Sequence, residues 1–148
     1  MDAVKPRKQV VVVCGLITDD NGQVLLALRH EPALPSAHLK WELPGGGVEF
    51  GEKIEEALRR EMIEEIGAEV EVGEIIPYIH VGEWEFPAEI IQAFVINYFC
   101  RIKKGSVINH AANHEQEIAE LKWFQVKNIP WDQCLPGLRE IFQAAKLI

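Results

Sequence analysis

Four things are scarce in this 148-residue chain, and each scarcity removes a class of protein. No stretch approaches the roughly 20 uninterrupted apolar residues of a membrane-spanning helix, and the start, MDAVKPRKQV, lacks the apolar centre of a secretory leader. The expectation is a cytoplasmic protein with no membrane partner. Only 3 cysteines occur, Cys14, Cys100 and Cys134, odd in number and without CxxC spacing, so neither a disulfide framework nor a thiolate zinc site is expected. Positive charge is sparse: 15 Lys plus Arg stand against 23 Asp plus Glu, a net charge of -8, with no dense basic block. Gripping nucleic acid requires clustered cations that displace counterions from phosphates, so no nucleic-acid partner is expected. A small anionic ligand needs a local device to offset the repulsion. What the chain does have is 48% hydrophobic residues, enough for the core of one domain spanning 1–148.

Val10 to Ile17 and Gln23 to Leu28 are apolar runs around Asp19-Asp20-Asn21-Gly22, which reads as a β-hairpin. RHEPALPSAHLK, Arg29 to Lys40, reads as a surface loop, and Trp41 to Leu43 as a short strand. Pro44-Gly45-Gly46-Gly47 is expected to break any regular element before a helix from about Lys53 to Ile66, stopped by Gly67. Val70 to Val81 and Glu89 to Ile102 look like strands joined by the loop GEWEFPA. A polar insertion, Lys103 to Gln116, precedes a strand from Ala119 to Phe124 and an amphipathic helix from Leu135 to Leu147. Together these predict a mixed α+β fold.

The helix carries the chemistry. With Ile54 as the origin of an ideal wheel, Leu58 falls at about 40°, Met62 at about 80° and Ala57 at about 300°, the side that packs on a sheet. Glu61 falls at about 340°, Glu65 at about 20° and Glu64 at about 280°, on or beside that same side. Carboxylates placed there repel one another and lose hydration unless a cation neutralises them. An all-oxygen donor set suits Mg²⁺ or Mn²⁺, and Mg²⁺ shares its shell with phosphates. Such an ion is the device that an acidic protein needs for an anionic ligand. The alternative is a solvated structural helix held by Glu55–Arg59 and Glu56–Arg60 pairs. The inward phase of the acids speaks against it, as does the glycine run beside them, which lets backbone come close to a metal or phosphate.

From Gly46 to Ala68 the sequence resembles the signature of the Nudix hydrolases (the MutT-like family), G-x5-E-x7-R-E-U-x-E-E-x-G-U, with U a bulky aliphatic residue. Gly46, Glu52, Arg60, Glu61, Met62, Glu64, Glu65 and Gly67 fall in register; Ala68 departs, being small where a larger aliphatic is usual. The resemblance implies an α/β/α sandwich around a mixed sheet. It also implies metal-dependent hydrolysis of a nucleoside diphosphate linked to another moiety, by water attacking phosphorus. Carried over by position, Glu61, Glu64 and Glu65 are metal carboxylates and the Gly45 carbonyl a further ligand. Glu61 or Glu65 is alternatively the base, Arg60 orients the catalytic acids, and Glu52 and Gly46 support the loop and helix. Family members often add an acid from outside the signature; Glu117 is preferred here, with Glu115 and Glu120 as rivals.

Substrate contacts are expected from Arg29, Lys40, Trp41, Trp84 and Phe86, whereas His30, His38, His80, His110 and His114 lack metal-ligand spacing. The lead-in KWELPGGGVEFGE is similar to that of members acting on free or oxidised nucleoside triphosphates. That favours a (d)NTP over ADP-ribose, nucleotide sugars or dinucleoside polyphosphates. A non-catalytic nucleotide sensor and a merely acidic interaction protein are the competing classes. A homodimer is compatible with the family, through a sheet-edge strand at Phe94 to Phe99.

Overall fold

The computed structural model describes residues 4–109 and 117–148. Element order is β1 (Arg7–Ile17), β2 (Val24–Arg29), β3 (Trp41–Glu42), β4 (Gly45–Gly47), α1 (Ile54–Ile66), β5 (Val70–Ile75), β6 (His80–Glu85), β7 (Ile90–Ile102), β8 (Ile118–Phe124) and α2 (Leu138–Ala144). Val126–Asn128 and Trp131–Gln133 form short 3-10 turns.

The larger sheet is mixed. Its strands run β4-β1-β7-β5, with β6 also on β7; β1 and β7 are parallel and the other pairs antiparallel. A second sheet has the order β3-β2-β8, all antiparallel. On one face of the large sheet Val13, Ile17 and Cys100 cluster with Ala57, Leu58, Met62 and Ile66 of α1. On the other, Cys14 and Leu16 cluster with Leu138, Ile141 and Phe142 of α2. This is the expected sandwich. Each fully buried Leu, Ile or Met in these clusters contributes about 1.5–3 kcal/mol by leaving water. Phe142 is fully buried and meets Trp131 edge-on at 5.2 Å. Phe142→Ala is expected to cost about 3–5 kcal/mol, read as a lower urea midpoint; a loss below about 1 kcal/mol would mean that α2 is not part of the core.

Several expectations are corrected. The Asp19–Gly22 turn forms, with the Asp19 carboxylate accepting from the Asn21 and Gln23 amides at 2.9 and 2.8 Å. Its flanking strands nevertheless do not make a hairpin. After a single bridge from Thr18 to Val24 they diverge, β1 into the large sheet and β2 into the small one. Both runs are apolar on two sides, so each is buried between layers instead of sharing one solvated ladder. The glycine run does not end regular structure; Gly45–Gly47 pairs with Val12–Cys14 as β4. Val70 to Val81 divides into β5 and the start of β6, with Pro77 between them, and most of GEWEFPA is strand. The last helix is shorter than expected. Phe94 to Phe99 is no sheet edge, because β7 is paired with β1 on one side and with β5 and β6 on the other. No helix among the described residues is long and apolar enough to cross a membrane.

Candidate active site

Helix α1 starts where the Lys53 amide donates to the Glu56 carboxylate, 3.2 Å, and ends at Gly67, whose left-handed backbone (φ 67°) returns its N–H to Ile63 O at 3.1 Å. Glu56 is thereby a cap and not the Arg60 partner that the solvated-helix alternative required, whereas Arg59 does lie 3.8 Å from Glu55. Ala68, the departure from the signature, is fully buried against the α1 cluster.

Between those ends the helix aims its acids at β4. The Gly45 N–H donates to Glu65 Oε2 at 2.9 Å. Gly46 lies beneath the Glu61 carboxylate so closely that a β-carbon there would stand 2.4 Å from the carboxyl carbon and 2.5 Å from each oxygen. Glu65 is 9% exposed and the Glu61 side chain 12%, as their helical phase requires. Glu64 differs from expectation. Its side chain is 55% exposed, because at the flank of the packed stripe it turns outward to Arg60.

Arg60 ties this region together. Its Nε and Nη2 donate to the two Glu52 oxygens at 2.9 Å each, Nη2 also to Gly47 O at 2.9 Å, and Nη1 to Glu61 at 3.0 Å and Glu64 at 3.1 Å. A planar fork of five donors suits this task in a way an ammonium does not. The bonds from Arg60 and the Glu49 amide hold the Glu52 carboxyl down at about 2. Burial pushes Glu61 upward, with Arg60 pulling back.

Glu65 is raised well above the usual carboxyl range by burial, against the pull of the Gly45 amide and reinforced by Glu42, Glu61 and Glu117. A carboxyl that binds its proton more tightly when folded supports the fold fully below its ordinary value of 4.5. That support is lost as pH rises through the raised value. With a chelator present, the Tm of the wild type is therefore expected to fall more steeply than that of Glu65→Gln as pH is raised from about 4.5. Parallel curves would show that Glu65 ionises normally.

Beside the acids opens a cavity of about 310 Å³. Val10, Val12, Ile91, Ala93 and Val95 form its sheet wall, and Leu135, Pro136 and Leu138 face it from the start of α2. Arg29, Glu65, Glu117 and Gly45 to Gly47 line it as well, as do Trp84 and Phe86. Arg29 is paired with Glu42 at 3.2 Å, and so brings a cation among the acids. Glu117 both lines the cavity and acts electrostatically on Glu65. Its rival Glu120, on β8 and exposed like Glu117, is not among the residues lining the cavity, and Glu115 lies outside the described residues, with His110 and His114.

Trp41 is a correction. It is buried, edge-on to Phe124 at 4.9 Å, and serves the core. Lys40 is not among the residues lining the cavity. Four polar side chains on the lining were not expected there from sequence: Glu31, Glu42, His80 and Asn97. Glu42 was signalled only by an acid between the buried Trp41 and Leu43, and Asn97 only by an amide in the apolar run IIQAFVINYF.

Among the described residues, no three His, Cys, Asp or Glu side chains converge into a ready metal cage. Arg60 holds Glu61 and Glu64, and the Gly45 amide holds Glu65. In donor type the residues do fit a hard divalent ion, since Glu61, Glu64, Glu65, Glu117 and the Gly45 carbonyl offer oxygen alone, and Mg²⁺ retains waters and needs few protein ligands.

A carboxylate helix set over a glycine strand at the mouth of a cleft in an α/β/α sandwich defines a class of phosphate-handling domains. The sequence model of the NUDIX domain matches residues 8–144, and the chain belongs to that family. It is 42% identical over 71 residues to "Nucleoside triphosphatase NudI" of Escherichia coli, strain E24377A; the match spans 48% of this chain and 49% of that protein. The chain thus covers about half the length of the curated relatives it matches. Among solved structures, a MutT protein from Methanosarcina mazei Go1 superposes with a TM-score of 0.66 at 25% identity, covering 99% of this chain and 97% of the other. The E. coli ORF135 protein superposes with a TM-score of 0.63 at 27% identity, covering 94% and 91%.

Proposed function

We propose that this protein is a divalent-metal-dependent pyrophosphohydrolase that converts a nucleoside triphosphate to the monophosphate and pyrophosphate. The observation that carries this reading is the pair of desolvated carboxylates, Glu61 and Glu65, held over Gly45 and Gly46 where the cavity opens. The relative's name as a nucleoside triphosphatase supports the choice of substrate class over ADP-ribose or nucleotide sugars.

Glu61, Glu64, Glu65 and the Gly45 carbonyl, with Glu117, would hold Mg²⁺ or Mn²⁺. Such an ion neutralises phosphate oxygens and acidifies a bound water. The chain's own part is positioning. Arg60 keeps Glu61 in place through Glu52 and the Gly47 carbonyl, Arg29 adds positive charge to the phosphate side, and the apolar walls exclude water from the nucleoside. Glu61 or Glu65 takes the proton of the attacking water, burial having raised the proton affinity of both.

The test is pyrophosphate release from a panel of NTPs and dNTPs with and without Mg²⁺, alongside ADP-ribose and UDP-glucose. Magnesium-dependent pyrophosphate from a triphosphate supports the reading. Turnover confined to ADP-ribose or the sugar nucleotide overturns the substrate, and absence of any turnover overturns the activity.

A further inference from the structure

Asn97 is fully buried in β7, and neither its Oδ1 nor its Nδ2 has a hydrogen-bond partner among the described residues. An amide left so in a protein interior forfeits its hydration without compensation, a penalty that natural cores rarely carry without a use. The backbone around it is satisfied: the Asn97 carbonyl accepts from the Ile76 amide at 2.8 Å. The side chain lies on the same face of the strand as Ala93 and Val95 and lines the cavity with them. The same lining carries polar side chains, His80 and Glu42 among them, yet neither amide atom of Asn97 is hydrogen-bonded to any of the described residues.

The sheet register sets its distance from the acids. Cys14 pairs with Gly45 on one side and with Asn97 on the other, so Gly45, which binds Glu65, and Asn97 occupy one rung, two strand spacings or about 10 Å apart. That is close to the reach from the first phosphate of a nucleotide to the edge of its base. Trp84 pairs with Ile91 on the rung of Lys8, five residues further along the sheet and one strand further out, about 20 Å from Gly46 along the backbone. A mononucleotide anchored at Gly45 and Gly46 meets Asn97 before it meets Trp84.

We infer that the Asn97 carboxamide is the base-reading group of this cavity, pairing through one donor and one acceptor with the edge of a nucleobase that presents a complementary acceptor beside a donor. An Asn side chain makes this two-point contact with purine and pyrimidine edges alike, and a base lacking either partner leaves half of the amide buried and unpaired. The inference rests on the proposed nucleotide chemistry of the same site, and it assigns Asn97 to selectivity, not to bond cleavage.

The experiment compares the wild type with Asn97→Leu, an apolar side chain that extends into the cavity. Four NTPs and base-free ribose 5-triphosphate serve as substrates, and affinity for nonhydrolysable α,β-methylene nucleotides is read by calorimetry. The preference in kcat/KM for the best NTP over ribose 5-triphosphate is expected to drop at least tenfold in the variant, with the loss chiefly in KM, and the nonhydrolysable analogue to bind at least tenfold more weakly. An unchanged preference and unchanged affinity overturn the inference and leave the hydrolase reading standing. Asn97-dependent binding without turnover in the wild type supports the inference while overturning that reading. Should Asn97→Leu not fold, the wild type alone decides. The preferred nucleotide is then compared with purine riboside or 2-pyrimidinone riboside triphosphate, which lack the exocyclic donor or acceptor. A tenfold lower kcat/KM for the analogue supports base reading, and equality overturns it.

Discussion

Glu65→Gln is expected to lower kcat on the order of 10³-fold, the scale on which removal of one preorganised charge-stabilising group acts. The substitution keeps the volume and an oxygen for the Gly45 amide, but removes the negative charge that both metal binding and proton transfer need. Burial has already taken Glu65 out of water, so the uncharged amide should not harm the fold. In metal-free buffer its Tm is expected to match or exceed that of the wild type, since one of several mutually repelling carboxylates is gone. Steady-state kinetics on the preferred nucleotide with Mg²⁺, beside a thermal melt, reads both quantities. A kcat within threefold of wild type would remove Glu65 from the chemistry. Glu64→Gln is expected to be damaging as well, by orders of magnitude, although that side chain rests against Arg60 in the outer part of the site.

The adjacent glycines should fail in opposite ways. At Gly45 an added β-carbon would fall 2.1 Å from Val13 O and 2.6 Å from the Cys14 α-carbon, and neither backbone atom can yield without breaking the β1–β4 pairing. Gly45→Ala is thus expected to cost about 3 kcal/mol or more, seen as a Tm lowered by several degrees and poor soluble yield. At Gly46 the obstacle is only the Glu61 carboxylate, the free end of a flexible side chain. Gly46→Ala should fold with little loss of Tm and lose at least 10²-fold in kcat/KM, because Glu61 is displaced from Arg60 and from the glycine strand. Equal thermal losses in the two variants would show that β4 is a structural strand only.

How far the chain can be read without coordinates depends on whether local chemistry or distant pairing decides. The helical phase alone turned Glu61 and Glu65 toward the sheet, and Gly67 ended α1 through its own left-handed backbone. Those are short-range facts. Glu64 went outward because Arg60, one turn before it, offered a bond, which a helical wheel does not weigh. The hairpin failed because a turn sequence fixes a reversal of direction but not which sheet receives the second strand; β8, nearly a hundred residues later, claimed β2. Trp41 was legible as an aromatic beside the site but not as a core residue, since its partner Phe124 is on that same distant strand. Asn97 went unread for a similar reason. Within its own strand it is one polar residue among apolar ones, and only the cross-strand rung with Cys14 and Gly45 brings it to the acids.

The eleven-rung parallel match between β1 and β7 bears on how the chain comes to be assembled. Gln9 and Gln92, neighbours in that ladder, are 83 positions apart, so apart from the short pairing of Val12–Cys14 with β4 the first strand has no mate until β7 has been made. Closing so long a loop is entropically costly before any contact repays it, and a search of this kind slows folding. During synthesis most of the opening segment RKQVVVVCGLI must therefore wait, sticky and matched only where β4 covers it, for the tenth decade of residues to emerge. That interval, more than any weakness of the finished molecule, is when aggregation threatens it.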